Sequence, residues 1–319
     1  MKIGIPAEVM TGEGRVALIP VACKLLVDAG HDVYVQRGAG IDSDYTDTSF
    51  TDAGAVIVES AEQLYGCAQL IVKVKQPLAD DLRHLRPHHI LFSFLHLAAD
   101  PGLIETLCDI GLCTIPFESV TDADGALPLL VPMSKVAGRI SVIRGASLLF
   151  RNRGGRGVLL GGADGNGVDG SDTGRVVVLG AGTAGSHAID VAVALGAHVT
   201  AIDLDAARLM ALTQQYPTLE TCLSTPDIVE SLCLQADLVI GAVLQAGRRA
   251  PVVLKRSVIE RMNAGSVIVD IAIDQGGCVE GIRATSSEEL YYMENSILFS
   301  AVPNMPATVA RTSSQVLST

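Results

Sequence analysis

Short apolar runs bounded by glycine, proline and polar residues recur along the chain. Between them, apolar residues return every three or four positions. The first series of runs covers residues 2–5, 32–35, 56–59, 70–75, 90–95 and 113–117, with helical spacing between them, as at 21–29 and 103–108. Apolar strands separated by helices predict a parallel sheet covered on both faces. A second series covers 176–179, 199–202, 238–243, 267–271 and 297–300. Between the two series, residues 134–150 read as one long helix, with Ser134 as its cap and apolar positions at Val136, Ile140, Ile143 and Leu148. The pattern predicts an α/β protein of two doubly wound domains with mainly parallel sheets. Residues 1–130 form the first domain and 131–302 the second. The stretch 151–174 is rich in glycine and aspartate and reads as a loop or hairpin. Thr312-Ser313-Ser314 resembles a helix start, and a helix of so few residues is marginal alone.

One segment carries more than a fold signal. Val176-Val177-Val178-Leu179 runs directly into Gly180-Ala181-Gly182-Thr183-Ala184-Gly185, then a helical pattern, then a second apolar run ending on Asp203. Strand, glycine turn, helix, strand and acid form the dinucleotide-binding fingerprint in its structural context. Gly180 permits the tight turn, Gly182 lets a pyrophosphate approach the backbone, and Gly185 lets helix and strand pack closely. The helix N-terminus offers N–H groups and positive dipole to the phosphates. Asp203 would accept bonds from the adenosine ribose hydroxyls, which selects NAD over NADP. Asp205 competes for that role but reads better as the cap of a helix beginning near Ala206. The second domain is therefore expected to be a Rossmann NAD-binding domain.

Composition narrows the picture. A length of 319 residues suits two domains, and 49% hydrophobic residues suffice for two cores. A net charge of −12 and pI near 5.0 argue against nucleic acid or an anionic membrane as partner. No run reaches the ~18 uninterrupted apolar residues of a membrane helix, and the start Met1–Pro6 reads as a strand and not as a signal peptide. The seven cysteines are scattered without a CxxC. They read as reduced, mostly buried side chains of a cytoplasmic protein, with no metal site.

The order of motifs resembles the alanine dehydrogenase family, which is related to the NAD-binding subunit of proton-translocating transhydrogenase. The matching pieces are Ile3-Gly4-Ile5-Pro6, Gly14-Arg15-Val16-Ala17-Leu18, Val72-Lys73-Val74-Lys75-Gln76-Pro77 and Phe94-Leu95-His96-Leu97-Ala98-Ala99. Further along come Pro132-Met133-Ser134-Lys135, Gly154-Gly155-Arg156-Gly157, Ile240-Gly241-Ala242-Val243-Leu244, Val269-Asp270-Ile271-Ala272 and Pro303-Asn304-Met305-Pro306. The resemblance implies reversible conversion of L-alanine, NAD and water to pyruvate, ammonium and NADH. It implies an active site in the interdomain cleft, residues 303–319 returning to the first domain, and a homo-oligomer, usually a hexamer.

It also assigns residues. Arg15 and Lys75 become ligands of the substrate carboxylate and carbonyl, the first as a bidentate clamp and the second as a point charge. On sequence alone Arg15 is as easily a surface loop residue, and Lys73 shares a strand face with Lys75, so the residues do not choose between those two lysines. His96 becomes the general acid/base at the substrate oxygen, a task suited to a pKa near neutrality. The other histidines, 31, 84, 88, 89, 187 and 198, read as solvated. Asp270 becomes the group that orients ammonia and water, with Asp274 as local scaffold. Met133 would wall the substrate pocket. Ser134, Val243, Leu244, Asn304 and Met305 would contact the cofactor.

The chain also departs from the family pattern. Members continue past its end with a helical segment, and residues 164–174 and 288–300 differ from the usual form. The departures point to a truncated, weakened or inactive relative that retains NAD binding. Two further readings stand beside the dehydrogenase: a transhydrogenase-like NAD(H)-binding subunit, and a truncated NAD-binding remnant with little or no activity.

Overall fold

The computed structural model describes residues 1–318 except 98–99, 166–169, 244–248 and 287–288. The chain forms two compact units, Met1–Met133 with Pro306–Thr319 and Ser134–Met305.

The first unit holds six strands: β1 Lys2–Ile5, β2 Asp32–Gln36, β3 Val56–Val58, β4 Leu70–Val72, β5 Ile90–Ser93 and β6 Cys113–Pro116. They form one all-parallel sheet in the order β3-β2-β1-β4-β5-β6. Successive side chains point to opposite faces. Ile71 and Leu91 pack with Leu64, Leu103 and Leu107, while Val72 and Phe92 join Phe117, Met133 and Leu317. Each such side chain gains about 1.5–3 kcal/mol by burial. The helices start where capping chemistry permits. Thr46, Ser60 and Asp100 accept N–H bonds from Ser49, Gln63 and Leu103, and Pro20 and Pro101 open helices Pro20–Asp28 and Pro101–Ile110.

The second unit holds β7 Arg175–Leu179, β8 His198–Asp203, β9 Glu220–Leu223, β10 Leu238–Gly241, β11 Val267–Asp270, β12 Tyr292–Glu294 and β13 Ile297–Ser300. Their order is β12-β13-β11-β10-β7-β8-β9, parallel throughout except for the β12–β13 pair. Omitting β12, both sheets share one winding: three strands placed in reverse order, then three forward. Val176 and Val178 pack with Ala188, Ile189 and Ala192, while Val177 and Leu179 pack with Val229, Cys233 and Val239 on the other face. Among the described residues, no helix is long and apolar enough to cross a membrane.

Several expectations are corrected. The long helix spans Leu130–Leu148, so Ser134 lies inside it and does not cap it. Val131 N already donates to Leu127 O, and Pro132 sits in the first turn where no N–H is needed. β4, β10 and β11 end earlier than the apolar runs did, at Val72, Gly241 and Asp270. The strands β9 and β12, short and partly polar, had no such run. His89 is not solvated: it is 1% exposed, takes an N–H bond from Arg86 at Nδ1 and meets Tyr65 O from Nε2 at 2.9 Å. His187 is half-buried, and burial, with Lys135 and Arg139 nearby, lowers its pKa. Only Cys23, Cys233 and Cys278 are buried, and Cys108 and Cys113 are exposed. Residues 312–314 do fall in a helix, Ala310–Leu317. Burial of Leu317, Ser313 and Ser314 supplies the packing that a helix so short lacks by itself.

Candidate active site

In the first unit the strand order reverses between β1 and β4, where α/β sheets bind ligands beyond their strand ends. Glu8 and Arg15 follow β1, Lys75 follows β4 and His96 follows β5. Glu8 ties the first two loops together, because its carboxylate accepts Val74 N at 2.5 Å and Lys75 N at 3.4 Å. Burial raises the Glu8 pKa against the opposing pull of Lys73 and the Val74 N–H.

Lys73 and Lys75, both past the end of β4, part company here. The Lys73 side chain is 1% exposed, with Nζ 2.7 Å from Asp81 Oδ2 and 3.5 Å from Glu8 Oε2. Tyr65 completes that buried network by donating to Asp81 Oδ1 at 2.9 Å. Lys75 Nζ instead lies 3.4 Å from His96 Nε2. When Lys75 carries its proton it can only donate, and a neutral imidazole then accepts at Nε2 and keeps its ring proton on Nδ1. His96 stands at φ +49°, in the left-handed region that side chains other than glycine seldom adopt. Glu118 holds the turn: its carboxylate accepts His96 N at 2.6 Å and Leu95 N at 3.2 Å. Phe94 stacks beside the imidazole, with ring centroids 6.0 Å apart.

Arg15 is buried, not a surface residue, at 2% exposure. Glu13 takes its Nε at 2.7 Å and Nη2 at 2.5 Å, and also the Arg15 N–H at 3.0 Å. Nη1 lies 3.2 Å from Met133 Sδ. The structure thus couples Arg15 with Met133 and Lys75 with His96. It adds three carboxylates that no sequence motif marked, Glu8, Glu13 and Glu118. The two that bridge loops, Glu8 and Glu118, act across at least 22 residues, beyond any local pattern.

In the second unit the glycine turn lies at the reversal between β7 and β10. Gly180 has φ +92°, and a Cβ there would stand 2.7 Å from Ala242 O. A Cβ at Gly185 would stand 1.8 Å from Gly180 O, so only glycine lets the helix Thr183–Ala194 start so close. At Gly182 a Cβ would meet nothing within 4 Å, and no side chain caps this helix. Open space over uncapped N–H groups fits a pyrophosphate. Asp203 ends β8. Burial pushes its pKa up, but N–H bonds from Ala181 at 2.6 Å and Asp205 at 2.9 Å, with Arg208, outweigh burial and hold it below the ordinary value. Arg208 Nη1 lies 3.3 Å from both carboxylate oxygens. Asp205 caps the helix Ala206–Gln215 through Arg208 N.

Asp270 is fully buried at the end of β11. Oδ1 accepts Ala272 N at 2.8 Å, and Oδ2 accepts Cys278 N at 2.8 Å and Val279 N at 3.2 Å. Burial raises its pKa to about 6 in spite of those bonds. Asp274 accepts Asn304 N at 3.1 Å, with Asn304 at φ +57°. Met305 is 2% exposed and packs in the core with Ala137 and Val142. Val243 is half-buried two residues past β10. Leu244 lies outside the described residues. Among the described residues, no group of three or more His, Cys, Asp and Glu side chains could hold a metal ion.

Comparison with known proteins agrees over nearly the whole length. Residues 4–137 match the family described as Alanine dehydrogenase/PNT, N-terminal domain, and residues 141–319 the corresponding C-terminal domain. The chain is 45% identical over 318 residues to the alanine dehydrogenase of Mycobacterium tuberculosis, covering 99% of this chain and 84% of that one. It is 40% identical to the enzyme of Bacillus subtilis, covering 99% and 82%. A solved L-alanine dehydrogenase superposes with a TM-score of 0.94 at 43% identity, covering 99% of this chain and 86% of that one. A transhydrogenase from Sinorhizobium meliloti gives 0.87 at 26%, covering 100% and 90%.

Proposed function

The chain belongs to the alanine dehydrogenase/PNT family, and from that membership we infer an NAD-dependent oxidoreductase that converts L-alanine and water reversibly to pyruvate and ammonium. The observation that most supports assigning the chemistry to these residues is the Lys75–His96 pair, 3.4 Å apart, with His96 in a turn that Glu118 pins in the left-handed region.

The roles follow from the groups. Arg15 binds the substrate carboxylate. Glu13 aims the guanidinium from its Nε–Nη2 side, and Nη1 lies against the thioether of Met133, a weak acceptor. Lys75 polarises the oxygen at Cα as a point charge. His96 accepts the hydroxyl proton at Nε2 as the carbonyl forms and ammonia leaves, and returns it in the reverse direction. The Lys75 ammonium beside it stabilises negative charge on that oxygen and keeps Nε2 an acceptor. Asp270 orients ammonia and water. NAD, when bound, takes the hydride from the substrate Cα. Gly180, Gly182 and Gly185 shape its diphosphate turn, and Asp203 takes the ribose hydroxyls. Ser134, Val243, Leu244, Asn304 and Met305 complete its surroundings. The buried position of Met305 supports a packing role under that surface. Assembly as a homo-oligomer, hexameric by family likeness, and a cytoplasmic location belong to the same proposal.

The direct test substitutes Lys75 and His96 one at a time and follows NADH absorbance with pyruvate and ammonium. Each substitution is expected to abolish most turnover while leaving NADH affinity intact. Hydride exchange between two nicotinamide nucleotides, independent of both substrates, would favour the transhydrogenase reading.

A further inference from the structure

We infer that the buried hydroxyl pair Ser43–Ser314 positions Arg15, and through it the substrate carboxylate; this rests on the carboxylate role proposed for Arg15. Both serines are completely buried. Ser43 belongs to the 3-10 turn Ile41–Ser43 and Ser314 to the helix Ala310–Leu317, so the two arrive from segments 271 residues apart. Their hydroxyl oxygens lie 2.9 Å from each other. Ser43 Oγ donates to Gly14 O at 2.7 Å, and Val16 N donates to Ser314 Oγ at 3.0 Å. Those two partners are the residues on either side of Arg15.

Proton counting fixes the direction of the relay. A hydroxyl carries one hydrogen. Gly14 O can only accept, so Ser43 spends its hydrogen there. The hydrogen between the serines therefore comes from Ser314, whose oxygen is left to accept from Val16 N. The relay runs one way, from the Val16 N–H through Ser314 and Ser43 to the Gly14 carbonyl, and it has no alternative arrangement.

Packing restricts the same loop. A Cβ at Gly14 would lie 2.8 Å from Asp42 Cβ and 3.3 Å from Ala310 Cβ, so the backbone before Arg15 is pressed against both segments. Ser318 extends the hold by accepting Ile19 N at 3.1 Å. Arg15 itself is then aimed by Glu13. Removing one hydroxyl leaves a buried Gly14 carbonyl or Val16 N–H without its partner, and the loop relaxes to recover one. A displacement of about 1 Å at a positioning group costs up to about 100-fold.

Steady-state kinetics of the full-length enzyme tests this. Ser314→Ala and Ser43→Ala are each expected to raise KM for pyruvate and for alanine about 10-fold or more. NADH affinity by titration should stay within about twofold, and the double variant should be no worse than the poorer single one, because both break one relay. Ser314→Thr, which keeps the hydroxyl, should recover most of the loss. Ser313→Ala is the matched control: Ser313 is equally buried on the same helix, but its hydroxyl donates to Pro306 O and not to the Arg15 loop. Its KM for pyruvate should stay near wild type even if stability falls. The inference is overturned if Ser43→Ala and Ser314→Ala keep a normal KM, or if Ser313→Ala raises KM as much. If one serine variant does not fold, the other decides. Arg15→Ala separates the two levels: a normal KM there rejects the carboxylate role itself, whereas a raised KM beside normal serine variants rejects only the relay.

Discussion

His96 is held by its neighbours in a backbone conformation that an isolated histidine would leave. Glu118 binds two consecutive N–H groups, and that is sufficient reason for φ +49° to persist. His96→Ala is expected to lower turnover by about 10²–10⁴-fold with NADH binding unchanged, measured by steady-state kinetics and titration. Asp270 makes a pH prediction. Its pKa rises from 3.8 to about 6, so the folded chain holds the proton more tightly than the unfolded chain. The resulting stabilisation is complete below about pH 4 and is lost as pH rises through about 6. The stability difference between wild type and Asp270→Asn should therefore change by about 3 kcal/mol across that window. Urea unfolding between pH 4 and 7 measures it, and a flat difference would refute the buried carboxyl. At this scale a motif singles out His96, and the structure places its Nε2 3.4 Å from Lys75 Nζ. The sequence was silent on Glu8, Glu13 and Glu118, whose meaning depends on which loops meet. Lys73 and Lys75 were indistinguishable by spacing. One is matched by buried carboxylates and the other faces an imidazole, and only tertiary structure separates those environments.

Among the elements, the glycine turn of the second unit is the most constrained. In Gly185→Ala the new methyl group would meet Gly180 O at 1.8 Å, so the turn itself must shift. Loss of NADH affinity by at least about 10-fold is expected from titration, with about 1–3 kcal/mol lost in stability from overpacking. In the first unit, Asp81 anchors Lys73 and accepts Tyr65 OH and Leu78 N. Asp81→Ala leaves the buried ammonium with Glu8 at 3.5 Å as its remaining carboxylate partner. It should cost about 3–5 kcal/mol in urea unfolding. Strands buried on both faces, such as β7 and β11, announce themselves as apolar runs. β9 reads Glu-Thr-Cys-Leu and β12 reads Tyr-Met-Glu. Both lie at sheet edges, where one side has no neighbour and polar residues cost little. The long helix was found but its start was misplaced, because a serine resembles a cap whether or not the turn before it is already helical.

For the whole molecule, the alternation of strands and helices predicted mainly parallel sheets, and both are parallel apart from the β12–β13 pair. The strand order was not readable, since crossovers are decided by packing and handedness and not by local residue type. Nor could local pattern show that Pro306–Thr319 belongs to the same unit as Met1–Met133. That closure pairs Val16 with Ser314, 298 residues away. The enzyme reading brings these levels together: a diphosphate turn in one unit, and a guanidinium, an ammonium and an imidazole in the other. Its most direct test is the rate of NADH oxidation by the purified full-length protein with pyruvate and ammonium, each then omitted in turn. The account expects turnover only when both are present. Turnover without ammonium, or none with both despite measurable NADH binding, would contradict it.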